Sequence, residues 1–286
     1  MKKVFLLAFL LTFTLIFSFT GCKKNSVAPI DESIQSSEDN ALVDGEFTSI
    51  YSYFDAQSTQ TLGSVAEKGG NSTIQDLQIK SDLLPECATF SWDSVSRVLT
   101  IDFGTTNCTC KDGLTRRGKI IATLTGKYKQ AGSSVSVTLE NYYVNDMRVT
   151  GTKTITYQGS ATVHIVVSNA SVVTPKGTIS WNADRTIQKS AGVLTPNIIW
   201  DDEYIIAESA NGTNRKGVSF TVQTDLQKPL VKKVICQKKD FISGVVSIHN
   251  SNGDVLSINF DPTGTEECNK LATVTYNGVT KTIILR

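Results

Sequence analysis

The chain has 286 residues, 28 basic and 27 acidic side chains, and 40% hydrophobic residues. A net charge this close to zero lacks the basic excess of a nucleic-acid binder, and the length is enough for one large or two small domains with a real core. With only two histidines, His164 and His249, a histidine-centred metal site has little to build on.

Met1-Lys2-Lys3 is followed by an apolar run from Val4 to Phe19, broken by Thr12, Thr14 and Ser18, and then by Thr20-Gly21-Cys22. A positive start, an apolar middle and small residues at the cut are the layout of a secretory signal peptide, residues 1–21. The run is short of the roughly 20 apolar residues that span a bilayer. Gly21-Cys22 resembles the bacterial lipobox, with Phe19 where leucine is usual. The resemblance implies lipidation of Cys22 and a membrane partner reached through that lipid. Several acyl chains on one residue hold firmly where one holds marginally. Lys23 is not the aspartate that retains enterobacterial lipoproteins at the inner membrane, so the analogy implies an exported, outer-membrane protein. Whether it faces the periplasm or the cell surface stays open.

Residues 22–40 are polar and read as a flexible tether. Residues 41–57 carry Val43, Phe47, Ile50, Tyr51 and Phe54 at helical spacing, with Asp39 or Asn40 as the cap. Residues 58–73 read as loop. Beyond them the apolar period changes to two. Ile120-Ala122-Leu124, Val135-Val137-Leu139, Val163-Ile165-Val167, Ile179-Trp181-Ala183, Val218-Phe220-Val222, Leu256-Ile258-Phe260 and Val274-Tyr276 each alternate with polar residues. That is half-buried antiparallel strand, repeated about ten times. Turns are expected at Ala131-Gly132-Ser133, Asn145-Asp146, Asn169-Ala170-Ser171, Asn211-Gly212, Asn252-Gly253-Asp254 and Asn277-Gly278. The expected fold is all-β: one domain over residues 41–286, a large antiparallel meander curled into a half-barrel or folded as a sandwich, with one N-terminal helix packed on the sheet.

Five cysteines follow Cys22. The stretch Val98-Leu-Thr-Ile-Asp-Phe-Gly104 is echoed by Val255-Leu-Ser-Ile-Asn-Phe-Asp261. Each copy has a cysteine shortly after it, Cys108 or Cys268, and another upstream, Cys87 or Cys236. Equivalent hairpins closed by equivalent disulfides predict Cys87–Cys108 and Cys236–Cys268, leaving Cys110 outside both. An exported chain sits where such bonds persist.

Two segments, TIDFGTTNCTCKDGLTRRGK at residues 100–119 and NYYVNDMRVTGT at residues 141–152, are distinctive. Together with the lipobox and the early helix, they resemble a group of uncharacterised lipoproteins of Bacteroidota. The resemblance covers most of the chain after Cys22. It implies location and fold, and offers no activity or site residue to carry over.

The chain contains no Gly-x-Ser-x-Gly elbow and no His-Glu-x-x-His pair. No catalytic set, metal site or cofactor is therefore expected. Trp200, Asp201, Asp202 and Tyr204 are the candidate ligand residues: rings beside carboxylates suit a sugar, and carboxylates alone suit calcium. The plainer reading is a charged turn before a strand. Lys111-Asp112-Gly113 with Arg116-Arg117 reads as a solvated basic loop, His164 as a surface residue, and Asp93-Ser94-Val95 as either a glycosylation sequence or an ordinary hairpin. The functional expectation is a non-enzymatic structural or binding module of the cell envelope. A carrier of a small apolar ligand between helix and sheet comes second, and a carbohydrate-binding or carbohydrate-active protein third. An apolar cavity of several hundred Å³ would favour the carrier.

Overall fold

The computed structural model describes residues 30–67, 83–159, 161–195, 198, 200–236 and 241–284. Cys22 and the tether up to residue 29 lie outside them. One helix, α1 (Ile30–Glu67), precedes the strands β1 (Thr89–Asp93), β2 (Val98–Asp102), β3 (Cys108–Thr109), β4 (Thr115–Thr125), β5 (Ser134–Val144), β6 (Met147–Gly159), β7 (Thr162–Thr174) and β8 (Gly177–Ala191). They continue as β9 (Glu203–Thr213), β10 (Ser219–Thr224), β11 (Leu230–Lys233), β12 (Val245–Asn250), β13 (Val255–Asn259), β14 (Leu271–Tyr276) and β15 (Val279–Ile284).

Among the described residues all fifteen strands belong to one open sheet, in the order β1-β2-β4-β5-β6-β7-β8-β9-β10-β12-β13-β14-β15. The short strand β3 pairs with β4, and β11 pairs with β9. Every named strand pairing is antiparallel and neighbours in the sheet are near neighbours in sequence. The fold is thus the all-β meander with a packed helix, and the sandwich alternative gives way to a single sheet.

The helix crosses the strands. Ile34 meets β13 to β15, Asn40 accepts a hydrogen bond from Trp181 Nε1 on β8 at 2.8 Å, and Tyr53 meets Phe103 just after β2 at 5.5 Å between ring centroids. About ten strand spacings separate β2 from β14, which is roughly 48 Å along a sheet. The helix from Ile34 to Tyr53 advances only about 29 Å. The sheet must therefore curve around the helix. Its concave face closes on Val43, Phe47, Ile50, Tyr53 and Phe54, each no more than 3% exposed. Burying such side chains contributes about 1.5–3 kcal/mol apiece.

Five expectations change. The helix begins ten residues before residue 40 and runs ten past 57, so residues 30–40 are helix, not tether, and residues 58–67 are helix, not loop. Ser36 and Asp39 are fully buried there, which a tether cannot explain. Asn214 Nδ2 donates to Ser36 Oγ at 3.0 Å, and the Arg215 backbone N–H and Nε donate to the Asp39 carboxylate at 2.7 and 2.6 Å. Asp39 and Asn40 are accordingly interior positions rather than caps. Asn169-Ala170-Ser171 is not a turn: it forms a bulge within β7, where the pairing to β8 shifts between Val167 and Ala170 and Asn169 has φ 53°. Asn211-Gly212 likewise lies inside β9. A Cβ at Gly212 would meet the Ser180 carbonyl oxygen at 2.1 Å, so glycine there serves close strand approach. Asn277-Gly278, with φ 45° and 81°, is the tight turn expected between β14 and β15.

The disulfides join Cys87 to Cys108 and Cys236 to Cys268, the pairs the repeated hairpin predicts. Cys110 is buried outside both bonds. Its thiol faces the Cys108 carbonyl oxygen at 3.6 Å.

Candidate ligand cleft and the charged helix–sheet interface

The strand register builds a cleft at one end of the sheet. Leu256 pairs with Tyr276 and Ile258 with Val274 between β13 and β14. Tyr276 pairs with Val279, Val274 with Lys281 and Ala272 with Ile283 between β14 and β15. Directly paired residues share a face, so all these side chains lie on one side of the sheet. Leu256, Ile258, Val274, Tyr276, Val279, Lys281 and Ile283, with Ile34 and Ser37 of α1, enclose a cleft of about 340 Å³. Its wall is apolar, aliphatic but for the Tyr276 ring, apart from the Ser37 and Tyr276 hydroxyls and the Lys281 ammonium. Tyr276 donates its hydroxyl to Asp254 at 2.8 Å. The cleft exists because α1 closes on β12 and β13 while all six residues of β15 are exposed.

Elsewhere the interface between helix and sheet is closed, and charged groups lie within it. Arg185 of β8 donates to Asp44 of α1 at 2.6 Å and to Glu208 of β9 at 2.5 Å. Lys153 of β6 is 4% exposed and donates to the Phe47 carbonyl at 3.1 Å. Burial is the main cause that pulls the Lys153 ammonium down to about 8, against the opposing attraction of Asp44. Burial likewise raises the Glu208 carboxyl, while Arg185 holds it down. Two acids and two bases thus form a compact cluster that ties helix to sheet.

Arg116 corrects the reading of a solvated basic loop. It is fully buried, because the alternation of β4 points position 116 inward. Asp112 receives both ends of its guanidinium at 2.8 and 2.7 Å, Tyr142 accepts from Nε at 3.2 Å and Ser49 from Nη2 at 3.1 Å. The Tyr53 ring lies 5.0 Å from the guanidinium carbon. Nearby, burial raises the Glu46 carboxyl against the pull of Arg116. A polar hollow of about 450 Å³ near Lys119 and Arg117 is internally compensated: Lys119 lies 3.6 Å from Asp102, and Arg117 stacks 3.9 Å over the Tyr143 ring.

The candidates Trp200 and Asp201 fall in a turn, Asp202 lies just before β9, and Tyr204 is the second residue of that strand. Trp200 is 55% exposed, whereas Asp202 is buried. Lys189 pairs with Asp202 at 2.6 Å and the Tyr204 hydroxyl donates to it at 3.0 Å. Burial, then this hydrogen bond, pushes the Tyr204 phenol up to about 12. Asp201 accepts from Thr195 at 2.6 Å. The structure therefore brings Asp202 and Tyr204 together around Lys189 as a braced turn, with Trp200 on the surface. His164 pairs with Asp184 at 2.8 Å. Ser94 sits in the exposed turn between β1 and β2.

Sequence reasoning named none of the cleft residues as a site, although the alternation of β13 and β14 was legible. What it lacked was the start of the helix, which decides how far the concave face is covered. Comparisons with protein-family models, curated proteins and solved structures give no match to this chain.

Proposed function

We propose that this chain is a lipid-anchored protein of the cell envelope that works by holding a small apolar ligand in the cleft between α1 and β13–β15. The cleft carries the reading. An aliphatic concavity of about 340 Å³ falls at the lower end of ligand sites, which run roughly 300–1,000 Å³. An aliphatic wall left open to water is costly, by about 25 cal/mol per Å² of apolar surface, so a ligand that covers it gains that contribution. The export half of the reading rests on the signal-like residues 1–21 and on Cys22. Two disulfides support it, since such bonds persist in oxidising compartments.

One pair of variants tests both halves. Cys22→Ser is expected to move the protein from the membrane fraction to the soluble fraction. Retention in the membrane would contradict the anchor. In that soluble form, an environment-sensitive apolar dye is expected to bind, and Val274→Trp, which fills the cleft, is expected to abolish most of the signal. Equal dye binding by both forms would contradict the cleft.

A further inference from the structure

We infer that the ligand class is a single-chain anionic amphiphile, its hydrocarbon chain in the cleft and its acid group paired with Lys281. The inference rests on the proposed binding role of the same cleft and adds the chemistry of the ligand.

Among the nine residues that line the cleft, Lys281 is the one with a charge, and none is acidic. It stands in the centre of the apolar face, opposite Val274 and between Val279 and Ile283 on its own strand. A lysine on an apolar wall lays its methylene stem along that wall and keeps its ammonium at the water boundary. Among the described residues Lys281 makes no ion pair. Asp254, whose carboxylate meets the cleft residue Tyr276, already accepts from that hydroxyl at 2.8 Å and from Asn252 Nδ2 at 2.9 Å. Among the described residues the site thus presents an apolar slot with one positive charge that no ion pair compensates. A neutral hydrocarbon leaves that charge unused, and a cationic head group is repelled by it. A carboxylate, sulfate or phosphate head on a chain satisfies both parts, and a charge-assisted contact is about twice as strong as a neutral one. The modest volume suits one chain rather than two.

The test compares three ligands of equal chain length below their aggregation concentrations: dodecanoate, dodecanol and dodecyltrimethylammonium. Each is titrated into the Cys22→Ser full chain and read by calorimetry and native mass spectrometry. Dodecanoate is expected to bind at least tenfold more tightly than either competitor. Lys281→Glu is expected to reverse the order in favour of the cation. Val274→Trp is expected to remove all three. If that variant fails to fold, Val279→Trp at the exposed rim takes its place. Equal binding of all three to the wild type, or preference for the cation, would overturn the head-group assignment while leaving an apolar site intact. Binding of none would overturn this inference together with the proposed function.

Discussion

Lys153 shows what a single buried residue contributes and conceals. Its position in β6 shares the parity of inward-facing Val149 and Ile155 and alternates with Thr152 and Thr154, so the pleat sends an ammonium into the core. The folded protein binds that proton less tightly than the unfolded chain does, about 8 against an ordinary value of 10.5. The gap is worth on the order of 3 kcal/mol. Below pH 8 both states are protonated and the folded state carries the full penalty; above 10.5 both are neutral and the penalty is gone. The stability advantage of Lys153→Met over the wild type should therefore be largest below pH 8 and shrink as pH rises towards 10.5. Urea unfolding at pH 7, 8.5 and 9.5 measures it, and a pH-independent difference would contradict the assignment. The inward direction of Lys153 follows from the alternation of β6, but the Phe47 carbonyl that accepts its hydrogen bond comes to it only in the folded chain. The same holds for Arg116: inward-pointing charge follows from strand parity, but its partners Asp112, Ser49 and Tyr142 come together only in the folded chain.

At the scale of elements, the helix was legible where apolar residues recur and illegible where polar residues are buried. Val43, Phe47, Ile50 and Phe54 mark the face that packs. Ser36, Asp39 and the other polar residues before residue 41 hide the first turns, because their partners, Asn214 and Arg215, lie more than 170 residues away. Phe47 also explains a strand detail. A Cβ at Gly151 of β6 would meet the Phe47 ring at 2.9 Å and the Ala170 backbone at 2.8 Å, with φ at 135°, so glycine is required for the helix to seat. Replacing Phe47 and Phe54 together by alanine should cost at least about 3 kcal/mol, the usual loss for one buried phenylalanine. Thermal and urea melts read it, and an unchanged melting temperature would mean that α1 does not pack on the sheet.

For the whole molecule, the period-two pattern carried the fold class, and the short connections carried the meander. The repeated hairpin motif carried both disulfides. Curvature and the extent of cover by the helix were not written locally, since they depend on bulges such as the one at Asn169 and on the start of the helix. Each disulfide closes a loop, with sequence separations of 21 and 32 residues, and constrains the unfolded chain by on the order of 3 kcal/mol. Replacing Cys236 and Cys268 together by serine should lower stability by about that amount. An unchanged urea midpoint would contradict a structural role for the bond.

The central claim is that the cleft at the uncovered end of the sheet holds a ligand. Native mass spectrometry of the protein purified from its own cells without added lipid tests it most directly. The expected result is a reproducible added mass that leaves on denaturation and is missing from the Val274→Trp variant. A clean ligand-free mass in the wild type, together with no uptake of an added apolar ligand, would contradict the account.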